Sequence, residues 1–358
     1  MTLLINTEEA RRVLTMGDCL EYLDTAYKDL AAKEAVTAPP GGRWDVWAPV
    51  GDEKYYVFGS LQGASRRLGV FALRFKSDIM HYPWEADGQT MDKYCVEPGK
   101  YCGLILLFSI WNGELLAILN DGHIQHMRVG ATAGVAANYM ARDNARSVGM
   151  FGSGGMARTY LEAFVKVRNI DYCRVYSPTR AHRETYAAEM SDKLDINVVA
   201  VDSPELVTEG TDIVAGCTDS AQPVIHPRYL TPGMHVTPVV PKELPPETVE
   251  KFDVVVRHNN GGAEGFFIGA DEEYAGLPAG HFDGSYRGVD RSNAPTLADL
   301  VSGKVQGRTS NDQLTCYYNV PGSGLQFAAV AYRTYELAKA AGLGRELPTE
   351  WFLQDERD

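Results

Sequence analysis

No apolar run in this chain approaches the ~20 residues that a bilayer-spanning helix needs, which excludes a membrane-crossing helix. Cysteine is sparse: the six (Cys19, Cys95, Cys102, Cys173, Cys217, Cys316) are scattered over 358 residues and none forms a CxxC pair. That argues against a clustered-thiol metal site, and a chain of this length does not need disulfides to build a core, so the cysteines read as free thiols. His123 and His126 stand at helical spacing in GHIQHM, but no third ligand lies near them, and no metal is expected. Positive charge is also short. Lys and Arg total 34 against 47 Asp and Glu, a formal charge of −13. Such a chain repels phosphate backbones and anionic membrane surfaces, so no nucleic-acid or membrane partner is expected. The opening MTLLINTEEARRVLTMGDCLEYL has no basic stretch followed by an apolar core and a small-residue cleavage site. The expectation is a cytoplasmic protein.

What is present is an ordinary globular composition, 45% hydrophobic and 23% charged, in a chain long enough for two domains. The first 35 residues carry Leu14, Leu20, Leu23, Ala26, Tyr27 and Leu30 at helical spacing. VTAPPGGRWDVWAP breaks the helix and places Arg43 in a loop. YYVFGSLQGAS and LGVFALRFKSDI read as strands, and GLILLFSIWNGELLAILN as a hairpin turning at Asn112-Gly113. Between them, residues 79–102 are aromatic, polar and without a period. From Asp121, a plausible N-cap, a helix of small residues begins. Beyond it strands and helices alternate: ARSVGMF, a glycine cluster and helix, CRVYS and helix, INVVAV, DIVAGCT, GMHVTPV, FDVVVRH. That order predicts a doubly wound parallel sheet with helices on both faces.

The glycine cluster MFGSGGMARTYLEAF lies where an apolar strand becomes a helix. Gly152, Gly154 and Ala157 give GxGxxA, in which the first glycine turns tightly, the second admits a pyrophosphate, and the small third residue lets helix and strand pack closely. The helix N-terminus supplies unpaired N–H groups to the phosphates. The cofactor contacts expected are Gly152, Ser153, Gly154, Gly155 and Met156, with Thr218 after the DIVAGC strand. An NAD site usually ends its second strand in Asp or Glu. Here Ser177, Thr179, Arg180 and Arg183 occupy VYSPTRAHR, so NADP(H) is preferred, with NAD(H) the alternative.

LRFKSD is the second unusual stretch. On a strand, Arg74, Lys76 and Asp78 project from one face at a period of two, which is costly in an apolar sheet unless they bind something. Arg43 and Arg128 can converge on them, and guanidinium forks match a carboxylate substrate. The competing reading is an edge strand with its charges in water.

Arg43 after a proline pair, the charged strand, the Asp121-to-Arg128 run before the small-residue helix, GSGGMAR and GRTSNDQLTCYYNVPGSGLQFAAVA resemble the ornithine cyclodeaminase/mu-crystallin family over nearly the whole chain. The resemblance implies a Rossmann-type domain, residues 126–315, inserted into a discontinuous α+β dimerisation and substrate domain, residues 1–125 and 316–358. QFAAVAYRTYELAKAA would then return to the N-terminal part. It also implies a homodimer using NAD(P), with Arg43, Arg74 and Arg128 on a substrate carboxylate. The middle position is Arg where the family has Lys, and Lys76, two residues on, takes its place as proton carrier together with Asp78. The cyclodeaminase aspartate is absent from HVTPVVPKELP, where Glu243 is the nearest substitute. The expected activity is NAD(P)H-linked oxidoreduction of a C–N bond in a small substrate with a carboxylate and an amine or imine. The alternatives are an ammonia lyase recycling its NAD internally, and a non-catalytic NADPH-binding subunit. Residues 79–102, with Trp84 on the substrate, are expected to cover the site.

Overall fold

The computed structural model describes residues 1–38, 43–85, 88–260, 263–274, 277, 293–320 and 322–356. Two sheets organise it. The first has ten strands, and its central antiparallel run is Arg43–Gly51, Lys54–Ser65, Val70–His81, Gly103–Ser109 and Leu115–Asn120. Thr2–Ile5 joins one side in parallel with Leu115–Asn120, and Arg345–Leu347 pairs beyond it. Ala263–Phe267 extends the other side in parallel with Arg43–Gly51. The Lys54–Ser65 and Val70–His81 strands alternate strictly between buried and half-buried residues, so each shows one face to the core.

Helices Met16–Ala31 and Gly324–Ala340 cover the inner face through Leu23, Ala26, Tyr27, Leu325 and Phe327, packed on Leu61, Ala72, Ile105 and Leu107. The single N-terminal helix expected from the leucine spacing is instead a strand, Thr2–Ile5, and two helices, Thr7–Val13 and Met16–Ala31. Each helix begins in its own capping box, Asn6 with Glu9 and Thr15 with Asp18, and these local hydrogen bonds break the apolar period.

The second sheet has seven strands, all parallel, in the order Asn197–Ala200, Tyr172–Tyr176, Ser147–Phe151, Ile213–Gly216, His235–Pro238, Thr315–Tyr318, Val254–Arg257. Chain order reverses between Ser147–Phe151 and Ile213–Gly216, and in sheets of this kind ligands bind at that switch point, beyond the carboxyl ends of the strands. The doubly wound α/β class is as expected. After Thr315–Tyr318 the chain returns to the first sheet through Gly324–Ala340, which packs on the Lys54–Ser65 and Val70–His81 strands.

Helix Gly122–Met140 ties the two halves together. Ile124, Met127, Ala131 and Val135 belong to the core under the first sheet, whereas Val129, Ala133 and Ala137 belong to the core beside the second. A helix apolar all round is one buried all round. Its small residues let backbones meet: a Cβ on Gly130 would lie 2.6 Å from the Thr159 carbonyl. Among the described residues no helix is long and apolar enough to cross a membrane.

Candidate active site

The charged strand is buried, not an edge. Arg74, Lys76 and Asp78 all lie on the inner face of Val70–His81, 8%, 7% and 4% exposed, flanked by Lys54–Ser65 and Gly103–Ser109. Two glycines make room for them. Gly59 and Gly103 sit on either side of Lys76 in the register. A Cβ at Gly59 would meet the Asp45 carboxylate at 2.3 Å and Lys76 Cε at 2.9 Å, and one at Gly103 would meet the Asp121 carboxylate at 2.1 Å. The long side chains therefore spread over bare backbone on both neighbouring strands.

Arg43 is the first residue of the Arg43–Gly51 strand, not a loop residue. It reaches Asp45 through both Nε and Nη2, each 2.7 Å from a carboxylate oxygen. The parallel partner Ala263–Phe267, distant in sequence, continues the sheet beyond it. Arg74 Nε donates to Asp121 Oδ2 at 2.7 Å. Asp121 does stand at the N-cap of Gly122–Met140, yet its side chain makes no capping bond there. The guanidinium of the neighbouring sheet outcompetes a backbone N–H for the carboxylate.

Arg128 is buried on that helix. Its Nη1 donates to Gln326 at 2.6 Å and its Nη2 to Gln125 at 2.9 Å. Phe327 gathers the two arginines, with the Arg128 and Arg74 guanidiniums 4.9 and 5.4 Å from its ring centroid. Burial, then repulsion from Arg74, presses Arg128 down to about 9, so it stays charged at neutral pH. Lys76 Nζ lies 3.0 Å from Asp78. Burial and the Arg43 charge push the ammonium down to about 7, against the pull of Asp78.

Lys93 was not legible as a site residue. It lies on the short Asp92–Tyr94 strand opposite Met80, so it shares the face of Asp78 and Lys76. The residue is exposed by surface area, and Asp78, Arg74, Arg43 and Asp121 are the charges that act on its ammonium. Burial lowers its pKa, Asp78 raises it, and Arg74 and Arg43 lower it further. Tyr94, opposite Ile79, points to the outer face and meets His81 edge-on at 6.4 Å. Trp84 stands 76% exposed on Trp84–Glu85. The segment nonetheless crosses to the second half: Thr90 bridges Ser220, the Met91 N–H donates to the Asp219 carbonyl at 3.3 Å, and the Ala221 N–H to the Gln89 carbonyl at 3.0 Å.

The glycine loop faces this floor. Gly152 adopts φ +98°, a left-handed conformation, and a Cβ there would lie 2.2 Å from the Cys217 carbonyl oxygen. Only glycine fits that turn. A Cβ on Gly154 would meet nothing within 4 Å. Gly154 is also the N-cap of Gly155–Val167 and leaves that helix without a side-chain cap. Open space before unpaired N–H groups fits a dinucleotide pyrophosphate. Met156 is the second residue of that helix and is half-buried beside the second core. Ser153 Oγ donates to Ser177 Oγ at 2.9 Å.

Thr179 caps helix Arg180–Leu194 by position but without a side-chain bond. Arg180 is exposed and paired with Glu184 at 2.6 Å. Arg183 is committed elsewhere: it donates to the Ser177 and Pro178 carbonyls and to Asp202 Oδ1 at 2.9 Å. His126 joins loop and floor. Its Nδ1 bonds the Gly122 carbonyl at 2.8 Å, its ring lies where a Gly155 Cβ would be, and burial lowers its pKa. Among the described residues no three His, Cys, Asp or Glu side chains converge as a metal site would require.

Glu243 is fully buried. Oε1 accepts from the Thr218 N–H and hydroxyl, both at 2.8 Å, and Oε2 from the Val239 and Val240 N–H groups at 2.9 and 3.2 Å. Burial raises its pKa and these four donors oppose the rise. With every lone pair taken, Glu243 braces the ends of Ile213–Gly216 and His235–Pro238 and has none left for a substrate ammonium.

A cofactor cradle at the switch point and a cationic floor across from it belong to one class, NAD(P)H-dependent oxidoreductases working on carbon–nitrogen bonds. Within that class the chain belongs to the ornithine cyclodeaminase/mu-crystallin family, whose sequence model matches residues 98–342. It is 25% identical over 354 residues to a Δ1-pyrroline-2-carboxylate reductase of Bacillus cereus, covering 96% of this chain and 99% of the relative. Among solved structures it resembles the Thermococcus litoralis Δ1-pyrroline-2-carboxylate reductase in complex with NADH and L-proline. There the identity is 25% and the TM-score 0.78, over 97% of this chain and 100% of that one. An archaeal alanine dehydrogenase dimer with bound NAD shares the fold at 21% identity and TM-score 0.76, over 97% and 99% of the two chains.

Proposed function

We propose that this protein interconverts an α-imino acid and the corresponding amino acid, with Arg43, Arg74 and Arg128 holding the substrate carboxylate. One observation carries the reading: among the described residues Arg43, Arg74, Lys76 and Arg128 gather around Asp45, Asp78 and Asp121, with the exposed Lys93 on the same strand face, in a chain of charge −13. The surplus of positive charge asks for an anion. A carboxylate offers the planar, two-oxygen shape that guanidiniums grip.

Hydride for the imine carbon, or its removal from the amino-acid carbon, is the chemistry that a bound nicotinamide cofactor would supply. Lys76, as an ammonium poised near neutrality, protonates the imine nitrogen, and Asp78 holds that ammonium in place at 3.0 Å. The strap from Gln89 to Met91 closes the cleft against water, with Trp84 at its outer end as a wall for larger substrates. Gly152, Ser153, Gly154, Gly155, Met156, Ser177, Thr179 and Thr218 would hold the cofactor. NADP(H) is preferred through Arg180, which can leave Glu184 for a 2′-phosphate; Arg183 shapes the turn beneath it. We assign a substrate domain (1–125 and 316–358) and a nucleotide domain (126–315); two strands cross that boundary, since Ala263–Phe267 pairs in the first sheet and Thr315–Tyr318 in the second.

A panel of cyclic imines, and of 2-oxo acids with amines, followed by NADPH and NADH absorbance, tests the activity. Turnover of at least one carboxylated imine is expected. A silent panel with cofactor shown bound by nicotinamide fluorescence overturns the reading, and ammonia release without net cofactor change would make the protein a lyase. The saturated Glu243 carboxylate weighs against that second outcome. NADH binding as tight as NADPH removes the NADP(H) preference alone.

We further propose a homodimer through the outer face of the first sheet. Leu4, Trp44, Val46 and Phe266 are exposed there, and Phe58, Phe71, Leu73, Phe75, Leu104, Leu106 and Phe108 are half-buried beside them. A contiguous apolar face of this breadth marks an interaction surface. A second copy is the occupant that the fold relative's dimer supports.

A further inference from the structure

Two of the six cysteines differ from the others. Cys19, Cys173, Cys217 and Cys316 are buried, whereas Cys95 and Cys102 are half-buried and lie at the rim of the charged floor. The fold brings this pair together. Tyr94 pairs with Ile79 and Gly103 with Lys76, both on the same edge of Val70–His81, so residues 95–102 leave the sheet and return within three positions of one strand. The Ser77 N–H donates to the Cys102 carbonyl at 3.2 Å, which sets Cys102 beside Ser77, and Cys95 follows Tyr94, the partner of Ile79.

The excursion is narrow as well as short. The Lys100 N–H donates to the Glu97 carbonyl at 3.1 Å across Pro98-Gly99, with Gly99 at φ +85°, and the Cys95 N–H donates to the Lys100 carbonyl at 2.8 Å. A tight turn with Pro98 and Gly99 at its centre folds the two flanks onto each other. Cys95 and Cys102 flank its neck, one directly after Tyr94 and the other directly before Gly103, and burial, then the nearby Cys95 thiol, raises the Cys102 pKa. A disulfide spans roughly 4.4–6.8 Å at Cα, and both cysteines stand at the base of a loop that leaves and rejoins one strand edge three residues apart.

We propose that Cys95 and Cys102 form an oxidisable dithiol that closes to a disulfide and staples the neck of the 95–102 loop beside the site. The oxidant is a hydroperoxide. One thiol sulfur attacks the peroxide O–O bond, giving a sulfenic acid and releasing the alcohol or water. The second sulfur then attacks the sulfenic sulfur, the S–S bond forms, and water leaves with the remaining thiol proton. Two electrons and two protons pass from the thiols to the peroxide. Reductants such as dithiothreitol reverse the closure by exchange. Lys93, two residues before Cys95, is thereby tied to the register of the floor.

The test is peptide mapping of the full-length folded protein after treatment with hydrogen peroxide, alkylated without reduction. Trypsin cuts after Lys93, Lys100 and Arg128, so closure joins the peptide 94–100 to the peptide 101–128. The expected result is that joined mass, with intact protein 2 Da lighter, both reversed by dithiothreitol, and with the four buried cysteines still alkylatable on unfolding. Cys95→Ser and Cys102→Ser should each lose the joined peptide and keep the wild-type far-UV spectrum. Recovery of both cysteines as free thiols, as sulfinic acids, or linked to any other cysteine overturns the proposal. If one Ser variant fails to fold, the other and the wild-type map decide.

Discussion

Lys76 carries the sharpest chemical consequence of the site. Its ammonium is held near pH 7 by burial and by Arg43, so it can give up a proton in the range where enzymes work. Imine reduction uses the protonated lysine, and kcat/KM for reduction should fall as pH rises through about 7. The reverse oxidation uses the free amine and should rise over the same range. Lys76→Met should abolish this limb and lower the rate about 10²-fold or more; an unchanged profile would remove Lys76 from the proton path. The same depression has a stability sign. Between about 7 and the ordinary value of 10.5 the unfolded chain holds a proton that the folded chain has released, so stability rises with pH across that window. Urea midpoints at pH 7 and 9.5 should converge on each other in Lys76→Met. The charged face itself was legible, because Arg74, Lys76 and Asp78 at a period of two leave few other readings. Its partners were not. Asp121 looks like a helix cap until the sheet supplies Arg74, and Lys93 sits in a stretch without period, where only pairing with Met80 reveals which way it faces.

At the scale of elements, the site depends on strands that are bare where charges must lie. Gly103 sits between Lys76 and the Asp121 carboxylate, so Gly103→Ala should drive Asp121 off Arg74, since the new Cβ would stand 2.1 Å from an oxygen. The lost charge-assisted bond is worth ~1.5–3 kcal/mol, and the expected effect is about a tenfold to hundredfold rise in KM for the imino acid. Cofactor affinity, measured by fluorescence, should not move, because the glycine loop lies on the other sheet. A parallel loss of NADPH binding would mean the substitution unfolds the shared core instead. The glycines in YVFGS and KYCGL, one inside its strand and one opening it, are visible in the sequence, but their meaning is not, because what approaches them comes from Asp45 and Asp121 on other elements. Conversely the GxGxxA turn was readable in full, since strand, turn and helix are consecutive and the requirement at Gly152 is local. Arg183 shows the limit of that reading: its place after the second strand suggests a phosphate contact, whereas Ser177, Pro178 and Asp202 already take its guanidinium.

For the whole molecule, the first sheet poses a problem of exposure. Its inner face is covered by Met16–Ala31 and Gly324–Ala340, but its outer face carries two aromatic contacts, Phe58 on Phe75 at 5.8 Å and Phe71 on Phe108 at 6.3 Å, with no helix over them among the described residues. A sheet apolar on both faces is one that is covered on both. Burying such a face gains about 25 cal/mol per Å² of apolar area, and a self-complementary contact by two-fold symmetry requires nothing beyond this chain. Phe75 lies near the middle of the face, opposite Ser60 on one side and Leu104 on the other. Phe75→Glu places a carboxylate there without touching the inner face, which Arg74 and Lys76 occupy. Sedimentation should show wild-type dimers and a variant shifted to monomer, with NADPH binding kept because the second sheet is unaffected. The charged floor lies on the same strand with its side chains on the reverse face, so a monomeric variant that still reduces its substrate would place the whole reaction within one chain. A variant that stays dimeric would show that the two copies meet elsewhere and leave this face to another partner.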